Sequence, residues 1–421
     1  MIYNPPIPNS PLSNPPIPNS PPSNPPPLHP PPLSSSLLIL FISVFVDMLG
    51  YGIMLPLLPF YVQAQDGGAA IAGGLMSLYS AVQLVSGPFL GALSDRYGRK
   101  PILLICLLGT SLAYLLLGLA DSLALIFLAV FIDGLTGSNL TLAHAYIADS
   151  TTPETRARGM SLAGVAFGLG LMSGPALGGL LSGYGLGLPA FVASAIAFGN
   201  TLFGFFVLPE SLPPERREPK PISLVFGWVD QFKNIFLRAN IQKFLITLFL
   251  LNLAFAGLQT NFPLYAHQRF GWSPVQNSYF YLYVGICGVF IQGYLFGKLQ
   301  ARFGEHSLIP FGLIFMIIGL TGMALAHEAW LLFPAVALVA LGTGISIPSL
   351  TALVSLRVSD HEQGRLMGGT QTLLSLTNII APTLAGVTFE LIAITAPYFL
   401  GSVLSALALM VALLALSEDR Q

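Results

Sequence analysis

Apolar and polar residues alternate in this chain on the scale of a bilayer. Apolar runs lie near 38–63, 71–93, 101–120, 123–147, 160–183 and 188–208. A polar stretch at about 209–241 follows, and then six more runs near 242–266, 274–298, 308–327, 330–356, 365–389 and 395–416. At about 1.5 Å of rise per residue, each run can cross a hydrocarbon core of roughly 30 Å. The pattern predicts an all-α membrane protein with 12 transmembrane helices, arranged as six spans, a linker and six spans. Helices satisfy their own backbone groups, which lipid cannot do for them.

Composition sharpens this picture. Of 421 residues, 54% are hydrophobic and 8% charged, against about 25% charged in soluble domains. Residues 1–36 are a different material: Asn-Pro-Pro-Ile-Pro-Asn-Ser-Pro occurs at 4–11 and again at 14–21. Proline removes donors and favours extended polyproline II, so a disordered tail is expected there. No positive segment precedes the first apolar run, as a secretory signal would require. The expected partition is tail 1–36, first bundle 37–208, linker 209–241, second bundle 242–416 and tail 417–421.

The cations orient the spans. With both termini cytoplasmic, 16 of the 17 Lys and Arg residues fall on the cytoplasmic side, and only Arg269 falls outside. Cytoplasmic loops collect Lys and Arg in this way. The halves also repeat. Gly91, Leu93, Arg96 and Gly98 recur 206 residues later as Gly297, Leu299, Arg302 and Gly304. Gly137, Arg158, Pro175 and Gly179 recur 207 later as Gly344, Arg365, Pro382 and Gly386. Two parallel-repeat six-helix bundles fit this register. The acid of the first loop, Asp95, has Ala301 as its counterpart.

Charged side chains inside a membrane are costly and usually functional. Asp47 lies in the first span, and Asp133 lies in the fourth with His144 eleven residues on, nearly the same face of one helix. Glu390 falls near the outer end of the eleventh span. Desolvation makes the charged form of a carboxylate expensive, so such a group can take up and release protons. The alternative for Asp47 is an acid hydrogen-bonded within a helix contact. His144 also fits a satisfied interhelical hydrogen-bonder. Cys106 and Cys287 fall in separate runs without metal-ligand spacing and read as inert thiols.

Five stretches carry a family resemblance. Gly91-Ala92-Leu93-Ser94-Asp95-Arg96-Tyr97-Gly98-Arg99-Lys100 resembles the loop signature between the second and third helices of the major facilitator superfamily, G-x-L-x-D-R-x-G-R-K. Gly170, Gly174, Pro175, Gly178 and Gly179 match the fifth-helix signature G-x-x-x-G-P-x-x-G-G of its drug/proton antiporters. Asp47-x-x-Gly50-x-Gly52-x-x-x-Pro56-x-x-Pro59 and Ala145-Tyr146-Ile147-Ala148-Asp149 are similar to segments of the tetracycline carriers, and Leu208-Pro209-Glu210-Ser211-Leu212 looks like the family's exit from the sixth helix.

The resemblance implies the major facilitator fold, Asp47 at the central cavity, Asp95 facing the amino end of the eleventh helix, and Arg96 or Arg99 paired with Asp149. Together these would close the cytoplasmic side of an outward-open state. Two positions depart from the tetracycline carriers: Val130 stands where they have an arginine, and Ala113 where they have an aspartate. The missing arginine removes an expected partner of Asp47, and the missing aspartate bears on tetracycline itself as the substrate.

Tyr51, Gln83, Asn139, Gln259, Asn261, Phe262, Gln371 and Asn378 are the candidate groups for orienting a substrate, with Tyr265 as a further stacking ring. A mainly apolar cavity with few polar groups suits amphipathic molecules. The expectation is a monomeric, proton-coupled exporter of a drug-like compound in the inner membrane. Its partners are the substrate, protons and the bilayer, with no nucleic acid, metal or cofactor. Import of a sugar or other small metabolite is one alternative; a transport-inactive sensor or scaffold is the other. No P-loop, metal-spaced His/Cys cluster or nucleophile triad points to an enzyme.

Overall fold

The computed structural model describes residues 35–217, 236, 238–358 and 362–418. The proline-rich tail and most of the linker therefore lie outside the described residues. The described residues contain eleven apolar helical stretches long enough to cross a membrane. One of them, Pro274–Leu325, is 52 residues long, enough for two crossings.

The first span divides into α1 (Ser35–Met54) and α2 (Leu58–Gln63). Pro56 and Pro59 stand at the break, where each removes an amide donor. Then follow α3 (Ala69–Tyr97) and α4 (Arg99–Gly118). The fourth span is also two helices, α5 (Leu123–Thr136) and α6 (Asn139–Ser150). The expectation of one continuous helix carrying Asp133 and His144 on one face is corrected by this break at Gly137 and Ser138. The reason is lateral: Gln83 Nε2 donates to the Gly137 carbonyl at 2.5 Å, and Ser86 Oγ to the Gly134 carbonyl at 3.0 Å. Side chains of α3 thus satisfy the carbonyls that the break frees.

The first half ends with α7 (Pro153–Ser182) and α8 (Gly187–Val207). The second half comprises α9 (Ala239–Phe270) and α10 (Pro274–Phe290), a π-helical turn at Ile291–Leu295, then α11 (Phe296–Leu325), α12 (Leu332–Ser355), α13 (Gln363–Leu391) and α14 (Ala396–Glu418).

The repeat read from the sequence has a backbone counterpart. Gly98 turns α3 into α4 with φ 107° and ψ 154°, and Gly304 interrupts α11 with φ 69° and ψ 163°. Both lie where only glycine is comfortable. Gly304 thereby divides the 52-residue stretch into two span-length pieces and supplies the twelfth crossing. These two hairpins mark one end of the molecule, the hairpin end; the other is the far end.

Each half buries its own core. One cluster is drawn from residues 241–416, with Ala69 the sole contribution of the first half, and two others are drawn from 49–193 and 37–208. Large apolar side chains such as Phe206, Phe311 and Met410 point outward, as a lipid-facing surface requires. Such a surface has no need of the polar coat of a soluble fold.

Candidate functional site

The first half holds Asp47 and Asp133. Asp47 on α1 is 8% exposed, and Asn139 Nδ2, at the start of α6, donates to its Oδ1 at 2.7 Å. The same amide nitrogen lies 3.5 Å from Thr110 Oγ1 on α4, and Thr110 in turn faces the Asp133 carboxylate. A polar thread therefore joins the two acids: Asp47, Asn139, Thr110, Asp133. The break between α5 and α6 creates it, because it frees the first turn of α6 to aim Asn139 at α1. Asn139 Oδ1 itself is buried without a donor.

Asp133 opens on a cavity of about 40 Å³ lined by Tyr51, Met76, Tyr79, Tyr114, Leu117 and Val130, among others. Tyr51 and Tyr79 stack there with ring centroids 5.8 Å apart. Ala113 also lines it. Both positions that depart from the tetracycline carriers thus fall on the wall of one chamber. A water needs roughly 10–15 Å³ of such space, so about three fit, and a drug-sized ligand does not.

The fifth-helix motif is a packing surface. A methyl group placed on Gly52 would lie 3.1 Å from Gly174 Cα, and one on Gly178 would lie 2.8 Å from the Ile53 carbonyl. A methyl group on Gly170 would lie 2.9 Å from the Leu49 amide nitrogen of α1. Gly179 faces the other way, against Ser278 of α10. Small residues here let α7 approach α1 backbone to backbone, as they do at other membrane helix contacts. α7 runs through Pro175, which packs on Gly52.

The halves meet at the far end. There Thr383 Oγ1 of α13 is 2.7 Å from Ser77 Oγ of α3, Gly73 abuts the Pro382 carbonyl, and Phe60 of α2 meets His267 of α9 edge-on at 5.8 Å. Met172 of α7 packs on Gly285 of α10. Toward the hairpin end, Gly91 of α3, Gly164 and Gly168 of α7, and Gly288 of α10 have no other atom within 4 Å of where a side chain would begin. The paired helices part there, so the cleft between the halves opens at the hairpin end.

The gate was expected of an outward-open state; in this state, open at the hairpin end, Asp95 pairs with Arg99 at 2.6 Å within its own half. Arg99, rather than Arg96, holds Asp149, with Nε 2.8 Å from Oδ2. Arg96 lies over the Tyr97 ring. Sequence reasoning assigned no role to Glu210, yet its Oε1 accepts from the Arg99 amide at 2.9 Å and fastens the Gly98 hairpin to the exit of α8. Its signals were an acid three residues after the end of α8 and its place in the Leu208–Leu212 stretch.

Several proposed substrate groups are committed elsewhere. Gln83 serves the helix break. Asn139 binds Asp47. Phe262 is 2% exposed and stacks on Phe280 at 4.2 Å, inside the second half's core. Tyr265 is fully buried and donates to the Met323 carbonyl at 2.6 Å. Asn261 is fully buried with neither amide atom paired. Gln259, Gln371 and Asn378 remain exposed, and Tyr51 lines the Asp133 chamber.

Comparison with known proteins agrees with the fold. The family model of the Major Facilitator Superfamily matches residues 40–368 and 293–421. The class C tetracycline resistance protein of Escherichia coli is 34% identical over 353 residues, 83% of this chain and 88% of that one. Multidrug resistance protein 2 of Bacillus subtilis (strain 168) is 31% identical over 362 residues, 84% of this chain and 88% of its own. The crystal structure of the human organic anion transporter MFSD10 (TETRAN) superposes with a TM-score of 0.66 at 25% identity, covering 90% of this chain and 98% of that one.

Proposed function

The chain belongs to the major facilitator superfamily, which makes it a multi-pass membrane transporter and not an enzyme, and from that premise we propose that it exports an amphipathic, drug-like compound across the inner membrane in exchange for protons. The hairpin end is then cytoplasmic, as the placement of Lys and Arg expects, and so are both termini. The described state is open to the cytoplasm and ready to load. The two halves, 37–208 and 242–416, rock about the cleft between them.

The observation that carries this reading is the Asp47–Asn139 pair. A membrane-buried carboxylate held by a neutral amide can exist with or without its proton, because the amide serves both forms. Its NH₂ donates to the ionised acid at 2.7 Å. Its own oxygen, now without a donor, accepts from the protonated one once the amide turns. Among the described residues, no ion pair to Asp47 locks either form. Asp133 and its water-sized chamber extend the path, and the exported compound occupies the wider cleft between the halves. The names of the tetracycline and multidrug resistance relatives support the substrate class.

Transport into inverted membrane vesicles tests this. A proton gradient is expected to drive uptake of a tetracycline or a cationic dye by the parent protein, and Asp47→Asn is expected to abolish it. Uptake at the parental rate in Asp47→Asn would remove that acid from the mechanism. A susceptibility panel on expressing cells, with and without a protonophore, identifies the compound.

A further inference from the structure

We propose that Glu390 is the latch of the far end: a carboxylate carried by the second half caps the amino end of α3 in the first half, and so sets how readily the transporter opens there. The amino end of any helix carries unpaired amide donors and a partial positive charge. α3 has no acceptor of its own for them, because its N-cap is Gly68. Glu390, in the last turn of α13, supplies one across the interface, accepting from the Ala70 amide at 3.0 Å. Its carboxylate rests directly on Gly68, in the space a side chain there would occupy.

The rest of this seam is neutral and close-packed: Ser77 with Thr383, Gly73 against the Pro382 carbonyl, and Gly386 against the Ala69 carbonyl. Such contacts fit the closed state but lose little when water replaces them. A carboxylate on a helix end is different. Parting α3 from α13 breaks a charge-assisted bond and uncovers the helix terminus at the same moment. At the hairpin end of α3, Asp95 is engaged by Arg99 of its own half. Among the described residues, the polar contacts of α3 with α13 therefore lie at the far end. Glu390 is a positioning residue, acting on the equilibrium between states and not on the cargo.

The test measures distances across the far end by electron–electron resonance. Spin labels are placed at Ser122 and Glu328, both exposed and in different halves, in the full chain with Cys106 and Cys287 replaced by serine, in lipid nanodiscs. Removing a helix cap is expected to raise the long-distance, far-end-open population about fivefold in Glu390→Ala. Glu390→Gln, whose amide oxygen still accepts, is expected to shift it less. The double variant Gly68→Asp with Glu390→Ala caps α3 locally without bridging the halves, and is expected to stay as open as Glu390→Ala.

Two results would overturn the latch. One is parental distances in Glu390→Ala and Glu390→Gln while Gly73→Leu, which wedges the seam against Pro382, lengthens them. The other is a return of the double variant to the parental distribution, which reduces Glu390 to a simple cap. Neither depends on substrate or protons, so failure of the proposed exchange leaves the latch standing, and the reverse also holds.

Discussion

The two halves share a backbone plan and differ in chemistry at matching places. Gly98 and Gly304 make the same left-handed hairpin. Around Gly98, however, Arg99 binds Asp95, Asp149 and Ser94, and Glu210 holds the Arg99 amide. Around Gly304, Arg302 lies over the Phe303 ring, and Gln300 donates to Glu305 at 2.8 Å.

Gly137 and Gly344 are likewise repeat partners. The chain breaks at Gly137 but runs helical through Gly344 within α12. Gln83 explains the difference. It catches the carbonyl freed at Gly137, and the residue 206 positions on is Val289, which has no donor to offer. At the same offset Asp47 becomes Leu253, and 207 positions after Asp133 stands Ala340. The second half fills those places with apolar side chains and stacks Phe262, Trp272, Phe280 and Phe333 in its core. On the proposed exchange, the acids that take up and release protons, Asp47 and Asp133, belong to the first half, and their counterparts in the second are apolar.

The comparison can be broken most directly at Asp47. Asp47→Asn is expected to lower gradient-driven uptake by about 100-fold or more, a scale set by removing a group required in the cycle. Equal uptake would mean that the titrating half is elsewhere. Next in size, Arg99→Ala is expected to cost about tenfold in transport, because it leaves two acids without their partner. Arg302→Ala should cost less than about twofold, since an exposed cation–π contact is worth roughly 0.5–1 kcal/mol. Similar losses in both would deny the asymmetry of the hairpins.

A smaller effect is expected from Gln83→Val, which copies the second half. It strands the Gly137 carbonyl at a cost of about 1–3 kcal/mol, and amide exchange at residues 134–140 should rise. Unchanged exchange would show that the break does not need its donor. The smallest difference sharpens the hairpins themselves. Gly98→Ala and Gly304→Ala share a strain of about 1–2 kcal/mol, but only at Gly98 does the added methyl meet Glu210 and Arg217. Thermal unfolding in detergent should fall further for Gly98→Ala.

Much of the fold was legible along the chain, because burying an unpaired backbone in lipid is so costly that spans must be long, apolar and helical. The repeat was legible because Gly98 and Gly304 tolerate few replacements at positive φ. The site was legible only in part. Asp47 was conspicuous, since an acid in an apolar run has few reasons to be there. Gln83, Asn139, Asn261 and Phe262 read alike as polar or aromatic groups that could face a cavity. Which of them bind backbone, bind an acid or fill a core depends on neighbours 50 to 100 residues away, as Gln83 with Gly137 and Asn139 with Asp47 show.

By itself the sequence determined that this chain crosses the membrane many times, in two related halves, with Asp47 and Asp133 inside the spans of the first. Hydropathy and glycine spacing act locally, and local terms are written in order along the chain. Only the tertiary structure decided that the far end is shut and the hairpin end open, that Arg99 rather than Arg96 takes Asp149, and that Glu390 reaches the start of α3, 320 residues back. These are contacts between helices, and the same helices can meet at either end with little change in their own stability. The choice of end therefore belongs to the assembled molecule.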